Sequence, residues 1–235
     1  MDGSVHHESW LRGVAANPGA PSDVLLRLLA PAGRAAVDRV LGPTGGGVGP
    51  VDEMIDEPEL GWYEACAGSP HPGLRRVAAT CPRLPEELVH RLAGDRDDLV
   101  RHLPACNHPP APPATVLAAF LAVPRQRPYL LSPARLPRTG LGHLLDHEDP
   151  EVRAPAAADT GLAEPPVRLL GDPDPRVRRA AAANRLLPLG LVEPLLEQRE
   201  LAEGAAANPG LSEARLHALL DRAGLPRIAR QPGGQ

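Results

Sequence analysis

The sequence predicts an all-α chain, a solenoid of about eight stacked two-helix repeats of roughly 25 residues each. Three observations lead there. Apolar residues make up 43% of the 235 and aromatic ones only 2%, so the core must be built from Leu, Val and Ala, of which Leu and Ala favour helix. Thirty prolines and 23 glycines fall between apolar runs, as punctuation of many short helices rather than as a disordered tract. A short motif also recurs along the chain.

The motif fixes the period. LRRVAATC begins at Leu74, VRHLPACN at Val100, VRAPAAAD at Val152, VRRAAAAN at Val177 and LAEGAAAN at Leu201. The starts lie 24 to 26 residues apart, with a double step from Val100 to Val152. That double step leaves room for one degenerate repeat ending near Leu130–Pro133, and the first copy ends in VAANP at Val14–Pro18. Each motif is a small, Ala-rich helix ending, except where Cys81 takes that place, at Asn or Asp, a residue type that tolerates a left-handed conformation.

A second helix follows each motif, as in LPEELVHRLAG (Leu84–Gly94), LSEARLHALL (Leu211–Leu220) and APSDVLLRLLA (Ala20–Ala30). Leu88 and Leu92, or Leu216, Leu219 and Leu220, mark one apolar face at helical spacing. Gly94 and Gly171 are natural stops, where a positive φ is easily placed. Acidic turns come next, at Asp95, Asp146 and Gly171. In Asp149-Pro150 and Asp174-Pro175 the Asp suits an N-cap and the Pro the first helical position. No unit this small buries its own apolar face, so neighbours must stack. The expected organisation is one solenoid domain over residues 1–228. A Gly-rich and acidic loop interrupts it at 42–57, and a frayed tail spans 229–235.

These residues resemble the leucine-rich repeat variant family, whose repeat reads approximately V-R-x-A-x-A-x-N-P-x-L-P-x-x-L-L-x-x-L-A-x-D-x-D. The match is strong in LRRVAATCPRLPEELVHRLAGDRDD (Leu74–Asp98) and good around Asn184, Asn208 and Val14. The resemblance implies a HEAT-like, right-handed superhelix of α- and shorter 3₁₀ helices. It also implies, for one known member, an iron–sulfur cluster held by a separate N-terminal cysteine cluster. Residues 1–65 contain no Cys here, so no cofactor carries over. The family name supplies no common activity.

Candidate chemistry is sparse. Cys66, Cys81 and Cys106 lack close ligand pairs and read as small core residues, Cys66 in the place of Leu92. His6, His7 and Glu8 with Cys106 and His108 make a poor metal set, because adjacent histidines point to different helix faces. The run Thr44–Gly49 lacks the Lys-Ser/Thr of a phosphate loop. Asp95/Asp97 and Asp172/Asp174 read as helix caps rather than as acid–base or calcium pairs. No serine sits in a nucleophile elbow.

One feature stands out as a candidate partner-binding row. Arg75, Arg101, Arg153 and Arg178 hold the same repeat position, extended by Arg76 and Arg179. Such a row could grip an acidic protein or a phosphate backbone. Alternatively, each Arg pairs with the aspartates of its own turn. Rings available as anchors are Trp10, Trp62, Tyr63 and Tyr129, although Trp62 aligns with Leu88 and is expected to be buried.

The sequence therefore points to a non-catalytic scaffold or adaptor for a protein partner. The alternative is a nucleic-acid-binding HEAT-like repeat protein, related in fold to the HEAT-like DNA glycosylases. Net charge of −4 and scarce rings weigh against the second. Every basic side chain is Arg, which reads as GC-rich bacterial coding. The opening MDGSVHHESWLRG lacks a signal segment, no run reaches the ~18 apolar residues of a membrane span, and the odd cysteine count suits a reducing cytosol.

Overall fold

Helices begin where the sequence places their caps. The computed structural model describes residues 3–29, 57–109, 111–131 and 135–226. Among them are thirteen α-helices, three 3₁₀ turns and no strand, so the chain is all-α. Asp149 accepts from Glu151 N at 2.9 Å and Asp174 from Arg176 N at 2.8 Å, each ahead of a Pro at the first helical position. Asp97 accepts from Val100 N at 3.0 Å. No described helix is long and apolar enough to cross a membrane.

The chain divides into two compact units, Met1–Gly47 with Arg138–Gln235, and Val48–Pro137. The second unit holds α3 (Glu57–Ala67), α4 (Pro72–Ala78), α5 (Glu86–Ala93), α6 (Asp98–Asn107), α7 (Pro113–Ala122), the 3₁₀ turn Pro124–Gln126 and α8 (Arg127–Leu131). The first unit begins with α1 (Gly3–Ala16) and α2 (Ser22–Leu29). It resumes with the 3₁₀ turn Gly142–Leu144, α9 (Pro150–Ala157), the 3₁₀ turn Val167–Gly171 and α10 (Pro175–Ala183). It ends with α11 (Leu189–Leu195), α12 (Ala202–Ala206) and α13 (Glu213–Arg222).

The Ala-rich helices supply the closest packing. In the first unit α9 packs on α10, α10 on α12 and α12 on α1. A Cβ on Gly204 would collide with Arg179 O and lie 2.9 Å from Ala182 Cβ, so only glycine permits that approach. The second helices bury Leu216, Leu219 and Leu220, or Val89 and Leu92, as one face each.

The residue ending each small helix forms the seam. Asn184 Nδ2 donates to Ala157 O at 2.8 Å and Asp159 O at 2.9 Å; Asn208 Nδ2 donates to Ala182 O at 3.0 Å and Asn184 O at 2.8 Å. Each Oδ1 accepts from the backbone N–H two residues on. Both amide hydrogens and the oxygen are thus used, and the carbonyls left over at the preceding helix end find donors. Asp159 has no amide to donate, and accepts from Leu141 N at 2.7 Å instead.

Several local expectations give way. Asn184 is extended (φ −69°, ψ 128°), not left-handed, because its side chain reaches to the neighbouring repeat. Gly94 has φ −99°, and Gly171 is not left-handed either. Among the described glycines only Gly140 and Gly224 have positive φ. In the second unit α6 runs through Asn107, so His108 becomes the first extended residue. It is buried and donates from Nε2 to Ala79 O at 3.2 Å. Trp62 is 52% exposed. Its counterpart Leu88 is itself only half-buried, and the core position of that helix is Val89, one residue on. Cys66 is buried like Leu92. The loop at 42–57 lies outside the described residues except Glu57, which opens α3, and so does the tail at 229–235.

Asn184→Ala or Asn208→Ala removes both donors and strands two buried carbonyls. Each should destabilise the first unit by about 2–4 kcal/mol in denaturant melts. Asn184→Asp, which keeps the shape but offers no donor, should do no better.

Candidate functional site

The six arginines of the predicted row all bond within the chain. In the second unit, Arg75 Nη1 donates to Ser69 O and Pro70 O, both at 2.9 Å, and Arg101 Nη1 to Asp95 O and Arg96 O at 2.8 and 3.2 Å. In the first unit, Arg153 Nη1 donates to His147 O and Glu148 O, both at 2.8 Å, and Arg178 Nη1 to Asp172 O and Pro173 O at 2.7 and 2.9 Å. So one guanidinium nitrogen clamps the two carbonyls of the Arg's own turn.

At least one other guanidinium nitrogen meets a carboxylate, in most cases from the next turn. Arg75 forms a bidentate pair with Asp95 at 2.6 and 2.8 Å, and Arg153 one with Asp172 at 3.0 Å on both arms. Arg178 reaches Glu200 at 2.5 Å. Arg101 is the exception: residues 123–128 carry no acid, and it takes Asp98 of its own turn. Arg76 pairs with Asp97 and Arg179 with Glu203. A planar fork suits this double duty, which Lys could not perform.

These pairs shift the carboxyls in one direction. Arg75 beside Asp95, and Arg153 beside Asp172, hold those acids below the usual carboxylate range and raise the guanidinium values. Asp97 falls to about 2, first through Arg76 and then through the Val100 N–H it caps. The paired acids therefore divide the work expected of them as caps. Asp97 and Asp174 cap helices, while Asp95 and Asp172 hold the preceding repeat's Arg and accept from Asp97 N and Asp174 N.

One trio has metal-ligand spacing. The ligand atoms of Asp23, Glu213 and His217 lie within 4.8 Å of one another. Its geometry argues against a metal. Arg27 Nη1 lies 2.8 Å from His217 Nδ1 and can only donate, so Nδ1 must carry the lone pair. The proton is then on Nε2, aimed at Asp23 Oδ2 3.0 Å away. A metal on Nε2 would need the opposite tautomer and would set an N–H against the guanidinium.

The cysteines are free thiols. Cys66 and Cys81 are buried, and burial raises the Cys106 thiol above its ordinary value, which weakens it as a nucleophile. His6 bonds Glu197 O, and His7 lies against Trp10, so neither joins Cys106 or His108 in a ligand set. The Thr44–Gly49 run lies outside the described residues.

In the second unit, Trp62, Cys66, Leu74 and Leu88, with Glu64, Ser69 and Arg91, line an open groove of about 640 Å³. Trp62 meets Tyr63 edge-on at 5.1 Å between centroids, and Leu74 is also exposed. Tyr129 is exposed as well, whereas Trp10 is buried. No protein-family model, curated protein or solved structure matches the chain.

Asp97→Asn keeps the cap and removes the charge. The folded-state value of Asp97 lies below its unfolded one, so its contribution is present above about pH 4 and fades as pH falls toward about 2. The difference in melting temperature between parent and D97N should be constant above about pH 5 and close across that window.

Proposed function

We propose that this chain is a non-catalytic, cytoplasmic binding scaffold for a protein partner, its helix pairs stacked as a right-handed solenoid of the leucine-rich repeat variant kind. The observation that carries the reading is the exposed groove of Trp62, Leu74, Leu88 and Arg91. Rings and Arg are the usual anchors of protein interfaces, and here an exposed Trp and an exposed Leu lie together beside an Arg. Recurring polar residues are occupied instead in holding turn to turn and repeat to repeat.

The same pairing supports a protein over a nucleic acid as the partner. A phosphate backbone would have to displace carboxylates from Arg75, Arg76, Arg101, Arg153, Arg178 and Arg179, at partly buried positions for most of them. The Asn seams and the 24- to 26-residue spacing support the stacked arrangement.

The test is affinity capture from the native host with the parent chain and with Trp62→Ala and Leu74→Asp. A specific protein captured by the parent and weakened tenfold or more by either substitution is the expected result. Prey that is unchanged by both would remove the groove from the account. A salt-sensitive mobility shift of short duplexes, abolished by Arg76→Ala and Arg179→Ala, would overturn the protein reading.

A further inference from the structure

Residues 3–29 sit on the C-terminal helix pair through the bonds that elsewhere join repeats adjacent in sequence. Asn17 Nδ2 donates to Ala206 O at 3.2 Å and Asn208 O at 2.8 Å. These are the counterparts of the two carbonyls that Asn208 itself takes from the repeat before it. Asn17 Oδ1 accepts from Gly19 N, as Asn208 Oδ1 does from Gly210 N. Gly13 repeats the close approach of Gly204: a Cβ there would collide with Glu203 O. The N-terminal helix pair thus continues the series after the last one, although nearly the whole chain separates them.

Two further contacts occur at this junction alone among the described residues. Trp10 is buried, donates from Nε1 to Leu196 O at 2.8 Å, and lies under the Arg222 guanidinium at 4.3 Å. Arg222 is held in turn by Glu197. Arg27 occupies the helix position where α5, α11 and α13 have Leu92, Leu195 and Leu219. Its side chain is 1% exposed, and it donates to Asp221 Oδ1 at 2.6 Å, to Leu225 O and to Pro226 O at 3.2 Å. A buried Arg in a Leu position is costly unless every donor is met, and the C-terminal end of α13 meets them.

We propose that the outer face of the α12–α13 pair is a docking site for a helix pair bearing this set of groups, and that it accepts residues 3–29 of a second copy of this chain in exchange for its own. The face is specified by atoms of the C-terminal repeat, and the ligand by atoms of the N-terminal one. Nothing in the set depends on which copy supplies the ligand. Reciprocal exchange keeps the junction contacts named above and closes a two-fold dimer, so the balance between monomer and dimer is set by concentration. The site does not involve the Trp62 groove, and stands or falls separately from the partner reading.

Two variants test it by mixing. Asn17→Leu with Arg27→Leu spoils the N-terminal ligand and leaves the face intact. Asp221→Arg sets like charge beside Arg27 and spoils the face but leaves the ligand intact. Each alone should be monomeric by light scattering. Mixed, they reconstitute one parental junction and should form a 1:1 heterodimer of twice the chain mass. Monomers only in the mixture, with both variants helical by circular dichroism, would overturn the proposal. The parent chain gives a second route that needs no variant. Isotope-heavy and light preparations, incubated together at high concentration, should yield mixed-mass dimers in native mass spectrometry. Monomers at every concentration would overturn it equally.

Discussion

The structure depends on how a helix of five to ten residues disposes of its last carbonyls. Such helices are too short to stand alone in water, and each leaves backbone acceptors unpaired at its end. In the first unit a carboxamide from the next repeat meets two of them, from Asn184, Asn208 and Asn17 in turn. Because the donor comes from a neighbour, satisfaction of one helix requires the presence of another. The seam is therefore both a hydrogen-bond solution and the rule by which repeats recognise each other.

Charge does the complementary job at the other end of each helix. Asp caps the start, while the Arg one turn in reaches back to its own loop and across to an acid of the next repeat. Arg75 with Asp95 and Arg153 with Asp172 show the full pattern. Where the next loop has no acid, as for Arg101, the pairing turns local and more exposed. This leaves function to the departures from the repeat. Trp62 is one, a ring left outside by its register, and Arg27 is another, a cation at an apolar position.

Much of this was legible in the sequence, and the limits have physical causes. The helical class, the caps at Asp149 and Asp174 and the burial of Cys66 follow from spacing and local chemistry. The partners of the Arg row did not, because own turn and next turn are equally near in a repeating sequence. Trp62 was misplaced by one residue, the difference between Leu88 and Val89 on one helix. The role of His108 was hidden because α6 continues through Asn107. The docking of residues 3–29 on the C-terminal pair joins segments nearly a whole chain apart, which a period read between neighbours does not reveal. Its signal was present all the same: Gly13 and Asn17 share the spacing of Gly204 and Asn208, and Arg27 breaks an apolar face.

The central claim is that a repeat is stable only against its neighbour. The most direct measurement is the helicity of an isolated peptide spanning residues 174–201, which contains α10 and α11 with the Asp174 cap of α10 but no seam on either side. The account predicts a largely unordered spectrum with no cooperative melting transition. A helical peptide that melts cooperatively by itself would contradict it.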